Sequence, residues 1–288
     1  MERLINADMK EYTSFRAGGR ADLMLIPETM EELRSALRET AESGTDFVLL
    51  GNGSNTLVRD EGFHGTIIHL GTGFSAVETE GKRMRCGAAA LMSAVADAAM
   101  KSGLGGFENI SGIPGSIGGA VFMDAGAYGT EIRDVIVSAE AVRRDGSGVY
   151  TVTVEDMDLS YRHSHFQETG DIVTSVVIEL EPADPQSISG KMKEMAEKRN
   201  SKQPVQYPSA GSFFKRPEGH FAGKLIQDAG LKGVMVGGAQ VSEQHAGFII
   251  NRGGATASDI LDLMHLVQNA VYDQFGVRLE PEVRIIGG

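Results

Sequence analysis

Residues 105–129 read GGFENISGIPGSIGGAVFMDAGAYG, a stretch whose texture differs from the rest of the chain. Glycine recurs there without helical or strand periodicity. Ile113, Pro114, Ile117 and Ala120 interrupt the segment Ser111–Ala120, so it is not a Gly/Ser linker. A rigid pocket lined by main chain is the better account, because glycine lets a ligand approach the backbone closely.

Upstream, Val48-Leu49-Leu50 runs directly into Gly51-Asn52-Gly53-Ser54-Asn55. A strand entering a Gly-rich turn aims backbone N–H groups into one concavity, which suits a pyrophosphate; a plain strand-ending turn is the other reading. The Rossmann fingerprint is absent. Its third glycine would fall on Thr56, and Leu57-Val58 continues a strand instead of opening a helix. Gly219–Leu225 is the nearest approach to a Walker A loop, but Leu225 stands where Ser or Thr is required. No GxSxG elbow is present. Two glycine loops in one half of the chain imply an elongated, phosphate-bearing ligand.

Around these loops, Leu23–Ile26, Phe47–Leu50 and Thr66–Leu70 read as buried strands. Thr29 with Glu32 forms a capping box for a helix with Met30, Leu33, Leu37 and Ala41 on one face. Leu91, Val95, Ala98 and Ala99 mark a second helix that stops at Gly103. Strand-like runs follow at Asp134–Val142, Gly148–Val154 and Ile172–Leu180, and Pro182, Asp184 and Pro185 supply the candidate linker. Beyond it, Ile188–Arg199 reads as a helix. Ile260, Met264, Val267, Val271 and Phe275 stripe another that ends at Gly276, and Val277–Ile286 reads as a terminal strand. The fold class is α+β, in two halves.

At 288 residues two ordinary domains are expected. Apolar residues make up 41% and charged residues 23%, as in globular chains. The net charge of -12 repels phosphate backbones, so no nucleic-acid partner is expected. A local basic cluster still admits a small anion. Cys86 is the only cysteine, which excludes an internal disulfide and reads as a small buried hydrophobe. No stretch approaches about 18 uninterrupted apolar residues and no signal-peptide h-region opens the chain, so a cytoplasmic protein without a membrane partner, acting as a monomer, is expected.

LGNGSNTLV (50–58), FENISGIPGSIGGAVFMDAGAYG (107–129), YRHSHF (161–166), AGSFFKRP (210–217) and LEPEVRIIG (279–287) together resemble the UDP-N-acetylenolpyruvoylglucosamine reductases. The likeness runs from about Thr13 to Gly287. It implies a FAD-binding domain of the vanillyl-alcohol oxidase (PCMH) type over residues 1–183, in lobes of roughly 1–72 and 73–183. A C-terminal α+β substrate-binding domain would occupy 184–288, its terminal strand 277–286 returning toward the flavin. The implied cofactor is non-covalent FAD, with NADPH as hydride donor and UDP-N-acetylglucosamine enolpyruvate as acceptor in peptidoglycan precursor synthesis. The implied FAD contacts are Gly51, Asn52, Gly53, Ser54, Asn55, Pro114, Gly115, Ser116, Gly118, Gly119, Asp124 and Gly126.

The family's catalytic pattern falls on Arg162, Ser212 and Glu282. A planar guanidinium at Arg162 suits the enolpyruvyl carboxylate and the charge that develops beside it. A hydroxyl at Ser212 is acid enough to protonate a strongly basic intermediate. Glu282 would have to be protonated or hydrogen-bonded next to another carboxylate. Without the resemblance, the three read as a surface ion pair, a turn residue and a solvated edge-strand acid. Lys202, Arg216, Lys232 and His245 match substrate-contacting positions, within a basic run that includes Lys198, Arg199, Lys215 and Lys224. Tyr207 and Phe213 are candidate faces for the uracil or sugar, or core residues.

His163 and His165 would share a face on a strand, but two imidazoles without a third ligand make no metal site, and none is expected. The chain departs from the family at Met123-Asp124, where Met-Asn is usual, which puts that flavin contact in question. The short segment between His165 and Ile172 resembles the shorter subclass. Two rival functions remain: another FAD enzyme of the same fold, such as an alcohol oxidase, and a non-catalytic nucleotide-sugar binding module.

Overall fold

The computed structural model describes residues 1–288. The chain forms two compact units: Met1–Leu4 with Leu23–Asn52 and Thr66–Arg199, and Ile5–Asp22 with Gly53–Gly65 and Asn200–Gly288. The expected boundary at 183/184 divides the chain by order. Packing interleaves it, grouping two N-terminal segments with the C-terminal third.

In the first unit, Thr29 caps helix α1 (Met30–Ser43), accepting from the Glu32 amide at 3.2 Å. The other half of the expected box shifts outward: the Glu32 carboxylate accepts from the Glu28 amide at 2.7 Å and pairs with the Met1 ammonium. Leu33, Ala36, Leu37 and Thr40 form the buried stripe. Ala41, expected on it, is exposed, whereas Thr40 is buried with its hydroxyl donating to the Leu37 carbonyl at 2.8 Å. Gly44, at φ 65°, ends the helix in the left-handed conformation that glycine tolerates.

Phe47–Leu49 pairs in parallel with Thr66–Ile68. Helix α2 (Met92–Lys101) buries Met92, Val95, Ala96 and Ala99. The short helices α3 (Ile117–Phe122) and α4 (His165–Thr169) follow. A five-stranded antiparallel sheet orders Val149–Thr153, Ile136–Val142, Ile172–Glu179, Arg83–Gly87 and Val77–Glu80. Cys86 lies buried on this sheet, and burial pushes its thiol up to about 12, so it is inert.

Helix α5 (Pro185–Lys202) corrects the linker reading. Proline suits the first helical position, where its missing N–H is no loss. Asp184 caps it, accepting from the Ser187 amide at 2.9 Å. Of the residues read as a linker, Asp184 and Pro185 form the helix start, while Pro182 ends a short strand that pairs with Leu104.

The second unit pairs Met235–Val236, Ala239–Val241 and Ile249–Asn251 as an antiparallel sheet, beside helices α6 (Ala222–Asp228) and α7 (Ala257–Phe275). Ile260, Met264, Val267 and Val271 of α7 are buried as the periodicity predicts, and Gly276 ends it at φ 69°. Asp60 accepts from the Ala257 and Ser258 amides at 2.8 and 2.7 Å and from the Ser258 hydroxyl at 2.7 Å, anchoring the start of α7. The expected terminal strand shrinks to Arg284–Ile286, parallel to Thr56–Val58. No helix is long and apolar enough to cross a membrane.

Candidate active site

The start of the first glycine loop, Gly51-Asn52, meets the second loop inside the first unit. A Cβ added to Gly51 would lie 3.0 Å from the Ser116 hydroxyl oxygen, so an alanine there would crowd the second loop. Ser116 caps α3, accepting from the Gly119 amide at 3.4 Å. Not every amide of Pro114–Gly119 faces outward. Ile117 donates to Ala90 at 2.8 Å and Gly118 to Ala88 at 2.9 Å, fixing the loop against the start of α2. A Cβ on Gly118 would come within 2.7 Å of the Ala88 side chain, so that glycine is required for packing. The amides of Gly115 and Ser116 donate to no protein acceptor, nor do those of Gly51–Asn55. Clustered N–H groups of this kind form a nest for an anion.

Arg162 belongs to the same unit. Its φ is 59°, a left-handed conformation uncommon outside glycine, and strained residues of this sort concentrate at functional sites. Gln167 fixes the turn, donating to the Arg162 carbonyl at 3.0 Å and to the Phe122 carbonyl at 2.7 Å. The Ser164 hydroxyl donates to Phe122 as well, at 2.7 Å. The Arg162 loop is thereby tied to the end of α3, the helix that Ser116 opens. The guanidinium lies 4.8 Å from the Tyr161 ring centroid.

His163 and His165 do not share a strand face, since His163 sits in a turn and His165 begins α4. The His163 imidazole stands 3.1 Å from Asp158 and 3.8 Å from Glu168. These three ligand atoms lie within 4.8 Å of one another, with both acids exposed.

Gly126 shapes a hairpin, and Asp124 turns its carboxylate into the protein. Gly126–Ala127 pairs with Thr130–Glu131 around a two-residue turn, Tyr128-Gly129, at φ 52° and 85°. Both central residues are positive, as a type I′ hairpin requires. A Cβ on Gly126 would sit 2.5 Å from Glu131. The Asp124 carboxylate is fully buried at 0% exposure and turned away from solvent. One oxygen accepts from the Arg133 amide at 3.1 Å; the other lies 3.5 Å from the Arg133 guanidinium and has no hydrogen bond.

Burial raises the Asp124 carboxyl above its ordinary value, against the Arg133 amide and charge, which lower it. The native state therefore holds this proton more tightly than the unfolded chain does. The stability it confers is complete below the unfolded carboxyl value, about 3.9, and is lost as pH rises through the folded one. Asp124→Asn keeps the acceptor for Arg133 and removes the buried charge. Urea melts below the unfolded carboxyl value, at about pH 3.5, and at pH 8 should show the variant gaining on wild type at the higher pH. An identical pH dependence in both proteins would refute this account.

In the second unit, Ser212 and Glu282 come together. The Glu282 amide donates to the Phe213 carbonyl and the Phe213 amide to Gly247, each at 2.8 Å, while Phe214 bridges Pro281. Asn55 donates through its side chain to the Glu282 carbonyl at 3.2 Å, and its own carbonyl accepts from the Arg284 amide at 3.0 Å. The chain terminus thus returns beside the end of the first glycine loop. Phe213 is fully buried against Phe15, which makes it a core residue and not a ligand face.

His245 lies in the turn Ser242–Gly247 with Lys232 near it, whereas the Arg216 guanidinium stands against the Phe221 ring, 4.1 Å away. Gln244 donates to the Asn200 and Ser201 carbonyls at 3.3 and 3.2 Å, bringing the end of α5, with Lys202, to that turn. His245 Nδ1 accepts from the Gly247 amide at 3.1 Å, leaving Nε2 to carry the proton. Burial lowers the imidazole pKa and nearby Lys232 lowers it further, so His245 is a neutral donor. A Cβ on Gly223 would sit 3.4 Å from His245 Cε1. Gln244 and Gly223 carried no recognisable signal in the sequence; they work by placing their neighbours.

A cavity of about 510 Å³ elsewhere in the first unit is lined by Phe47, Arg143, Arg144 and Asp171 among others. None of the expected site residues lines it. Asp171 is paired there with Arg143, the Arg144 amide and Tyr150.

Residues 21–151 match the family described as FAD binding domain, and residues 203–286 the UDP-N-acetylenolpyruvoylglucosamine reductase, C-terminal domain. The chain is 48% identical over 284 residues to the UDP-N-acetylenolpyruvoylglucosamine reductase of Alkaliphilus oremlandii, covering 99% of this chain and 93% of that protein. The enzyme of that name from Clostridium botulinum is also 48% identical, covering 99% and 92%. Its fold is similar to the crystal structure of UDP-N-acetylenolpyruvylglucosamine reductase from Thermus caldophilus, with a TM-score of 0.86 and 36% identity over 99% of this chain and 98% of that one. A mixed α/β chain with an N-terminal FAD-binding domain and this C-terminal domain, matched over nearly its whole length, belongs to the UDP-N-acetylenolpyruvoylglucosamine reductase family.

Proposed function

We propose that this protein reduces the enolpyruvyl double bond of UDP-N-acetylglucosamine enolpyruvate to the lactyl ether of UDP-N-acetylmuramate, using FAD and NADPH. The observation that supports the reading is the approach of Gly51 to Ser116, where an added Cβ would lie 3.0 Å from the hydroxyl, beside amides of both residues that have no protein acceptor. That donor set fits a dinucleotide pyrophosphate, which needs clustered N–H groups and close backbone approach. Gly51, Asn52, Gly115 and Ser116 would hold it from the first unit. The Asp124 carboxylate, facing Arg133, takes no part.

When bound, FAD would supply the hydride chemistry, with NADPH as the reductant and the terminal enolpyruvyl carbon as the acceptor. The protein's own groups manage the charge that follows. Arg162, on its strained turn, presents a planar fork to the substrate carboxylate and offsets negative charge on the adjacent carbon. Ser212 delivers the proton to that carbon, completing addition of a hydride and a proton across the double bond. Glu282, whose amide donates to the Phe213 carbonyl next to Ser212, would orient the carboxylate end. Arg216, Lys232, Lys202 and the neutral His245 bind the diphosphate and sugar. The reaction belongs to peptidoglycan precursor synthesis, and the protein would carry it out in the cytoplasm as a monomer.

An absorption spectrum tests the reading directly. The purified protein should be yellow, with a band near about 450 nm that bleaches on NADPH and returns on anaerobic addition of the enolpyruvyl substrate. A colourless protein that binds UDP-sugars would establish a binding module. A flavin ignored by NADPH and reduced by an alcohol would establish an oxidase of the same fold.

A further inference from the structure

Phe221 is the most exposed aromatic residue of the chain, at 61%. A lone exposed phenyl ring is ordinary, so exposure alone assigns nothing. Its setting is more specific. The Arg216 guanidinium carbon lies 4.1 Å from the ring centroid, a cation–π contact that holds a flexible arginine in one place. Phe221 immediately precedes α6, in which Gly223 packs on His245, whose neighbour in charge is Lys232. An open aromatic face, a stacked guanidinium, an ammonium and a neutral imidazole donor therefore share one end of the second unit.

The other aromatic candidates for a nucleobase are engaged. Phe213 is core. The Tyr207 hydroxyl is bonded to Arg252, whose guanidinium also lies 4.7 Å over the same ring. We propose that the Phe221 ring is the platform on which the substrate's pyrimidine stacks, with Arg216 held beside it to take the diphosphate. This rests on the reading of the substrate as a uridine diphosphate sugar. A phenyl face offers no hydrogen bond, so Phe221 adds affinity for the base without reading its edge; Arg216 and Lys232 supply charge for the two phosphates.

Calorimetric titration of the flavin-loaded protein with UDP and with inorganic pyrophosphate separates the two contributions. Phe221→Ala should weaken UDP binding about 10-fold or more, as loss of a base-stacking ring does, while pyrophosphate affinity stays within about twofold. Phe221→Tyr, which keeps the ring, should bind UDP like wild type. The Phe221 side chain makes no cap bond to α6, so truncation leaves the helix intact, and matched melting curves check this. Unchanged UDP affinity in Phe221→Ala overturns the platform while leaving the proposed reaction standing. Equal losses for UDP and pyrophosphate also overturn it, by showing that the ring acts only through Arg216. A wild-type flavoprotein that binds no UDP removes the uridine substrate and the platform together.

Discussion

Replacing Ser212 with alanine is expected to leave bleaching of the bound flavin by NADPH nearly unchanged and to slow its reoxidation by the enolpyruvyl substrate about 100-fold or more. The asymmetry follows from where a proton is needed. Reduction of the flavin requires none from this side chain. Reduction of the substrate requires one at the carbon beside the carboxylate, and a positioned acid contributes about 10²–10⁴ to such a step. Ser212 is exposed and its neighbours hold the backbone: Phe213 is buried and bonded to Gly247 and Glu282. Deleting one exposed hydroxyl there changes stability by no more than about 0.5 kcal/mol. Stopped-flow absorbance near about 450 nm reads the half-reactions separately. Equal losses in both halves would remove Ser212 as the proton donor and make it a structural turn residue.

Much of the fold was legible in sequence because its signals are short, local patterns. Thr29 and Gly44 bracket α1, and the 3.6-residue spacing of Ile260, Met264, Val267 and Val271 marks α7; each signal lies within one element. The glycine loops were legible for the same reason. What stayed hidden depends on distance. Asn251 donates to the Phe15 carbonyl at 3.0 Å across 236 residues of chain, and no local pattern announces such a bond. The segments Ile5–Asp22 and Gly53–Gly65 therefore join the C-terminal unit without warning. Direction was hidden as well. Asp124 sits in a glycine-rich loop that suggests a ligand contact, but the side chain turns inward to Arg133. Pro185 signals a break to a reader of sequence and a helix start to the backbone, because proline serves both.

Gly53 separates two meanings that a glycine in such a loop can have. At φ 61° its backbone is left-handed, and a Cβ there would lie 2.0 Å from the Tyr12 carbonyl oxygen and 2.9 Å from Thr13 Cα, a collision with main chain that no rotamer relieves. Gly44 has nearly the same φ, 65°, with nothing within 4 Å of its would-be Cβ. Gly44→Ala should therefore cost only the left-handed penalty, about 1–2 kcal/mol. Gly53→Ala adds the displacement of the Tyr12–Thr13 backbone, another 1–3 kcal/mol by the usual scale of overpacking, for a total of about 3 kcal/mol or more. Thermal melts should place it roughly 6–10 °C below wild type and clearly below Gly44→Ala. The two variants should differ in flavin content too. Gly53 lies among the amides of residues 51–55 that donate to no protein acceptor, and its carbonyl accepts from the Ser14 amide at 3.1 Å, so moving Tyr12 and Ser14 moves the donors. Flavin retained per chain after dialysis should fall in Gly53→Ala and stay at the wild-type level in Gly44→Ala, whose added Cβ touches nothing. If both variants melt together and keep their flavin, the Tyr12 segment yields freely, and the rigidity of the first glycine loop, on which the pyrophosphate cradle depends, is lost as an argument.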